Sequence, residues 1–197
     1  MNTFRKSLVI FFVFCLAVQV FAGSIQEYTA DMVDVSSGKT VQKIAVTPDK
    51  IYSETLSAQG KREAMCILRL DQRKMFIIME ETKTYMEIPF NKDRFTASDL
   101  AMGMVQSKQE KVGSETVSGY DSDKFRITSA VMGKTVTSYQ WVAPEFEPMP
   151  IRTETNGKAQ EMRNINPGRP SASMFEVPGG YKRDTNMEQM MKGMMGL

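Results

Sequence analysis

The chain has 197 residues, with 25 Lys or Arg against 23 Asp or Glu, 42% apolar residues and no histidine. Without histidine there is no His-based triad, no imidazole base and none of the commonest zinc or copper ligand sets. The two cysteines, Cys15 and Cys66, are too few for a Cys-rich metal or cluster site. The near balance of charge argues against a nucleic-acid partner and against a polybasic membrane surface.

The chain opens M-N-T-F-R-K-S and continues L-V-I-F-F-V-F-C-L-A-V-Q-V-F-A. Arg5 and Lys6, the apolar run Leu8 to Phe21 and the small-x-small site Val20-Phe21-Ala22 have the layout of a secretory signal peptide. The run is short for a membrane span and contains Gln19, so no stable transmembrane anchor is expected after cleavage near Ala22. Cys15 follows Val13-Phe14 rather than small residues, which argues against lipidation. Arg5 and Lys6 are the only charges in residues 1–22, so the rest of the chain carries 23 basic and 23 acidic side chains. A periplasmic protein is expected, with a signal peptide over 1–22, one β domain over 23–183 and a Met-rich tail over 184–197. Cys66 lies in mid-strand and reads as a small, buried apolar residue.

Ser24 to Val35, Thr40 to Thr47 and Lys50 to Ser57 read as strands separated by the turns Ser36-Ser37-Gly38-Lys39 and Pro48-Asp49. The stretch Met65 to Pro89 reads as three short strands joined by the polar turns Asp71-Gln72-Arg73-Lys74 and Glu80-Glu81-Thr82. Its first two strands are apolar on both faces: Cys66, Leu68 and Leu70 oppose Met65 and Ile67, and Met75, Ile77 and Met79 oppose Phe76 and Ile78. Antiparallel sheets commonly keep one wet face, so a further layer or a ligand cavity is expected to cover the second.

Thr96-Ala97-Ser98-Asp99 is a helix-start signal, and the residues through Lys111 are expected to form one capping helix. Strands resume at Glu115 to Val117. A turn over Gly119-Tyr120-Asp121-Ser122-Asp123 precedes strands at Lys124 to Met132 and Thr135 to Val142, with a hairpin turn at Gly133-Lys134. Pro144, Pro148 and Pro150 break the pairing. Ile151 to Thr155 and Ala159 to Ile165 form a hairpin around Asn156-Gly157, the strongest short turn signal in the chain. The expected fold is mainly β: a curved antiparallel sheet or incomplete β-barrel of about ten strands with one capping helix.

Several elements together resemble a known family. They are the signal peptide, P-D-K-I-x-x-E (Pro48 to Glu54), D-Q-R-K-M-F-I-I-M-E-E-T-K-T-Y (Asp71 to Tyr85), G-Y-D-S-D-K-F-R-I (Gly119 to Ile127), W-V-A-P (Trp141 to Pro144) and F-E-V-P-G-G-Y (Phe175 to Tyr181). This pattern resembles the periplasmic LolA-like superfamily of outer-membrane lipoprotein-sorting proteins, in a branch known only as a domain of unknown function. The resemblance implies an incomplete barrel closed by helices around an apolar cavity for acyl chains. A common form of the sorting proteins has an arginine shortly after the Pro-x-Lys turn. Here that stretch reads Ile51-Tyr52-Ser53-Glu54, and no functional residue is carried over.

The close carboxylate pairs Asp31/Asp34, Glu80/Glu81, Asp121/Asp123 and Glu145/Glu147 fall mostly at expected turns, where solvated charge is ordinary. General acid–base work needs two carboxylates converging in a cleft, so no catalytic residue, cofactor or metal site is assigned. The expected function is non-enzymatic binding of an acyl chain, lipid or acylated protein, with Met65, Ile67, Phe76, Ile78, Tyr139 and Trp141 as lining candidates. The two faces of a strand exchange on a one-residue register slip. Two alternatives stand beside this. One is Cu(I)-type binding or a stress-related role through the tail methionines Met187, Met190, Met191, Met194 and Met195, spaced as a helical stripe. The other is a protein-interaction module without a small ligand.

Overall fold

Runs of β-branched, aromatic and Met residues punctuated by turn residues build this molecule, as they do other antiparallel sheets. The computed structural model describes residues 27–89, 107–131, 134–147 and 149–195. The strands are β1 (Tyr28–Asp34), β2 (Thr40–Thr47), β3 (Lys50–Leu56), β4 (Arg62–Arg69), β5 (Lys74–Met79), β6 (Thr84–Pro89), β7 (Ser107–Val117), β8 (Tyr120–Val131), β9 (Lys134–Val142), β10 (Arg152–Thr155), β11 (Lys158–Pro167) and β12 (Lys182–Arg183). One α-helix, α1 (Thr185–Met195), ends the described chain. Among the described residues the strand order runs β12-β6-β5-β4-β3-β2-β1-β11-β10-β9-β8-β7, and no pairing joins β12 to β7. The expected mainly-β, curved antiparallel architecture is borne out, with twelve strands in place of about ten.

The described residues form two compact units: unit A holds 27–33, 39–89 and 163–195, and unit B holds 34–38, 107–131, 134–147 and 149–162. In unit A, β1 to β6 form a meander in which each strand pairs antiparallel with the next. Short β12 adds a parallel edge beside β6. In unit B, β7, β8, β9, β10 and the start of β11 likewise pair in sequence order.

The hairpin loops follow their turn chemistry. Asn156 and Gly157 both have positive φ (52° and 73°), the geometry that a two-residue hairpin turn requires. Ser118 and Gly119 repeat it at 51° and 87°. The turn expected over Gly119–Asp123 is therefore corrected: it is Ser118-Gly119, and Asp121 and Asp123 lie inside β8.

The expected capping helix falls mostly outside the described residues. Its charged end is corrected by the structure, because Ser107 to Lys111 lie in β7 and pair with β8. The polar alternation Lys108-Gln109-Glu110 suits a strand with one wet face as well as it suits a helix end. The described helix lies instead in the Met-rich tail and packs on β6. Of its methionines, Met191 is buried and Met190 faces solvent.

Candidate functional site

In unit A, strand alternation and register sort the apolar side chains into two sets. Met65 is paired with Ile78 and Ile67 with Phe76 across β4–β5. Tyr52 faces Ile67, and Ala45 faces Tyr52. Ala45, Tyr52, Ile67 and Phe76 are thus one transverse row. With Met65, Ile78 and Phe175 they form a tightly packed cluster, in which Ile67 and Ile78 are fully buried and Phe76 partly so. The opposite face carries Tyr28, Met32, Ile44, Val46, Leu68 and Ile77, also buried. Cys66 shares that second face and is buried, as expected. Burial raises the Tyr28 hydroxyl above its ordinary pKa.

The first face is covered by the chain's own closing segment. A 3-10 turn at Ala172–Phe175 drives the Phe175 ring into the cluster, and Met174, Val177 and Tyr181 pack beside it. Two polar anchors hold the segment, and a third holds the helix that follows it. Arg69, an almost fully buried guanidinium, donates through Nε and Nη2 to Asp71 at 2.8 and 2.7 Å. Its Nη1 donates to the Glu176 carboxylate at 2.6 Å and to the Phe175 carbonyl at 3.4 Å. Farther along, the Tyr181 hydroxyl and the Lys83 ammonium both donate to Glu80. The same ammonium lies 5.0 Å from the Tyr181 ring centroid. Hydrogen bonds from Arg69 hold the Asp71 carboxyl below its ordinary pKa, and those from Lys83 and Tyr181 do the same for Glu80.

The last anchor belongs to α1. Glu188 is buried and accepts from Arg183 Nε at 2.9 Å, Arg183 Nη2 at 3.0 Å and Lys192 Nζ at 2.7 Å, with the Glu87 amide at 3.4 Å. These bonds, led by Arg183, depress its pKa from 4.5 to about 2.

The six lining candidates therefore divide. Met65, Ile67, Phe76 and Ile78 lie together under the closing segment. Tyr139 and Trp141 lie in unit B, where charged side chains surround them. Trp141 has Lys124 Nζ at 4.5 Å and the Arg152 guanidinium at 4.9 Å from its ring, and its indole N–H donates to Glu115. Lys124 is also 5.3 Å from the Tyr139 ring. Cation–π geometry of this kind packs an aromatic among charges.

Sequence reasoning passed over the anchors Arg69, Glu80, Glu176, Tyr181 and Glu188. One signal for them was present: an arginine closing the apolar strand M-C-I-L-R needs a partner if the strand is buried. F-E-V-P-G-G-Y was the other half, with Phe175 and Val177 facing the sheet and Glu176 free to reach that arginine. Among the described residues there is no cluster of three or more acidic, Cys or His side chains suited to a metal. Asp121 and Asp123 accept from Thr116 and Ser114, at 2.9 and 2.8 Å.

The protein is similar in fold to an uncharacterized conserved protein from Thermus thermophilus, with a TM-score of 0.51 at 9% identity over 81% of this chain and 90% of that one. Looser likenesses include MucB, with a TM-score of 0.37 at 12% identity over 80% of this chain. The matched region spans 59% of MucB. The lipoprotein LppX of Mycobacterium tuberculosis has a TM-score of 0.36 at 12% identity, over 73% of this chain and 87% of LppX. No curated protein matches the chain in sequence. The family described as a domain of unknown function, DUF4412, matches residues 21–148, which is more than half of the 197. The chain thus belongs to the DUF4412 family, a domain of unknown function, as the expectation of a family known only in that way required.

Proposed function

We propose that this protein is an exported, non-enzymatic carrier of an apolar ligand, an acyl chain or the acyl group of a lipid or lipoprotein, in the periplasm. One observation carries the reading: the unit A sheet is apolar on both faces, and the closing segment takes up one of them. Antiparallel sheets commonly keep one face wet, and in unit A both faces carry buried apolar side chains. Periplasmic location rests on the signal-peptide layout of residues 1–22, which lie outside the described residues.

In this reading the ligand inserts against the face that carries Tyr28, Ile44, Val46, Leu68 and Ile77, side chains already closed to solvent without it, so uptake must open the layer that buries them. Met65, Ile67, Phe76 and Ile78 support that face from behind and line a ligand only if the closing segment leaves them. The test is native mass spectrometry of exported protein purified without detergent, followed by solvent extraction. An extra mass that extracts as a fatty acid or phospholipid supports the carrier. Ile77→Ala is then expected to weaken uptake of a fluorescent acyl probe several-fold, and solvent-exposed Met190→Ala to leave it unchanged. A clean apo mass together with no probe uptake overturns it in favour of a protein-interaction module.

A further inference from the structure

In unit A the closing segment, residues 171–181, lies on the sheet without joining it. Among the described residues its backbone bonds are its own, Met174 N–H to the Ser171 carbonyl at 3.1 Å and Glu176 N–H to the Ser173 carbonyl at 3.4 Å. Backbone bonds to the rest of unit A begin at its flanks. There Gly168 N–H donates to the Glu27 carbonyl at 2.8 Å and Lys182 N–H to the Lys83 carbonyl at 2.9 Å. Both flanks set a glycine of positive φ beside proline: Gly168 at 129° between Pro167 and Pro170, and Gly180 at 88° after Pro178. Proline offers no N–H to a ladder and glycine turns freely. A segment held this way opens locally, at less cost than the sheet beneath it.

What lies beneath is a built site. The Phe175 ring fills a groove among Tyr52, Met65, Ile67 and Ile78, with the Lys50 ammonium 6.0 Å from its centroid. Beside the groove, the Arg69 Nε and Nη2 bonds go to Asp71 on the sheet itself and do not depend on the segment. Only Nη1 turns to the segment, to the Glu176 carboxylate and the Phe175 carbonyl, and the carboxylate reaches it from the solvent side. Lifting the segment therefore exposes an apolar groove and one guanidinium donor already fixed in place.

We propose that this groove is a docking site for an extended peptide of a partner protein in which an aromatic residue is followed by an acidic one, and that Phe175-Glu176 holds it shut in cis. The aromatic side chain takes the place of the Phe175 ring, and the acidic one pairs with Arg69 Nη1. A peptide fits better than a fatty acid, because Nη1 also bonds a backbone carbonyl, which a fatty acid lacks. A partner must outcompete a tethered copy, whose effective concentration is about millimolar for a short flexible link. The closed segment thus screens out weak partners. The inference is independent of the carrier reading, whose ligand meets the other face of the sheet.

The experiment titrates a dye-labelled synthetic peptide of residues 171–182, SASMFEVPGGYK, into the whole protein and follows its anisotropy. The wild type is expected to bind no tighter than about 1 mM, the limit that the tethered copy imposes. Phe175→Ala, whose own segment has lost its anchor, is expected to bind at least about tenfold tighter, with a thermal midpoint that rises as peptide is added. Phe175→Leu keeps an apolar side chain in the groove and is expected to fold, so it carries the comparison if Phe175→Ala does not. A peptide with Phe175→Ala is expected not to bind, and one with Glu176→Gln to bind about fivefold more weakly, as loss of one charged hydrogen bond allows. A folded variant that binds the peptide no tighter than the wild type overturns the proposal and makes Phe175 ordinary core. Equal binding of the Phe175→Ala peptide overturns it as well, since the groove would then not be what is read.

Discussion

Arg69 and Glu176, 107 positions apart in the chain, meet at 2.6 Å, and this contact fastens the closing segment to the sheet. The guanidinium is 7% exposed while Glu176 is 68% exposed. The two partners therefore contribute unequally. Removing Arg69 frees Asp71, Glu176 and the Phe175 carbonyl at once, whereas removing the Glu176 charge loses one bond to a carboxylate already in water.

Arg69→Met is expected to lower unfolding free energy by about 2 kcal/mol, and Glu176→Gln by less than about 1 kcal/mol. Urea denaturation measures both. Limited proteolysis should show faster cutting between residues 171 and 181 in Arg69→Met before global unfolding. Equal effects of the two substitutions would show that the arginine does not act through its buried fork.

Phe175 carries the apolar share of the same closure. Its ring is 2% exposed, against Tyr52, Met65 and Ile67. Phe175→Ala is expected to cost about 3–5 kcal/mol, the usual range for emptying a buried aromatic site. Met190→Ala, at a methionine 53% exposed, is expected to stay within about 0.5 kcal/mol. Thermal unfolding of the two variants side by side decides it.

Much of this architecture was legible because period-2 patterning and turn chemistry are local. Thr40–Thr47 has the expected bounds, and Asn156-Gly157 forms the expected turn. The two-sided apolar character of β4 and β5 was also legible, since alternation alone reveals it. What covers each face was not. Covering Met65 and Ile67 with Phe175 depends on pairing residues more than a hundred positions apart, and no local rule encodes that. The charged setting of Trp141 was hidden for the same reason: Lys124, Arg152 and Glu115 come from three other strands. The β7 stretch misled because Ser107 to Lys111 is polar enough for either a helix end or an edge strand. The residues just before it carried the stronger helix-start signal.

The Asn156-Gly157 turn is a test of backbone conformation without packing. A Cβ on Gly157 would meet nothing within 4 Å, yet its φ is +73°. Gly157→Ala is therefore expected to cost about 1 kcal/mol through the left-handed conformation alone. Gly113, whose added Cβ also meets nothing within 4 Å and whose φ is outside the positive region, is the control: Gly113→Ala is expected to be neutral or slightly stabilising. Denaturation midpoints compare the two, and an equal loss at both sites would refute the conformational explanation.

The docking of α1 carries its own pH dependence through Glu188. Its carboxyl titrates at about 2 in the folded protein against an ordinary 4.5, because Arg183 and Lys192 stabilise the charged form. A group whose pKa is depressed by folding contributes its stability above the unfolded value and loses it as pH falls toward the folded one. The contribution is thus complete above about pH 4.5 and disappears on acidification toward pH 2, an effect on the order of 2 kcal/mol. In Glu188→Gln that contribution is absent at neutral pH, and the fall in stability between pH 4.5 and 2 becomes shallower. Hydrogen exchange of the α1 amides, followed across this range in both proteins, reads the loss locally: the wild-type helix should open on acidification, and the Glu188→Gln helix should already be less protected at about pH 7. An α1 that exchanges alike in both proteins at neutral pH would mean that Met191 packing alone holds the helix to β6.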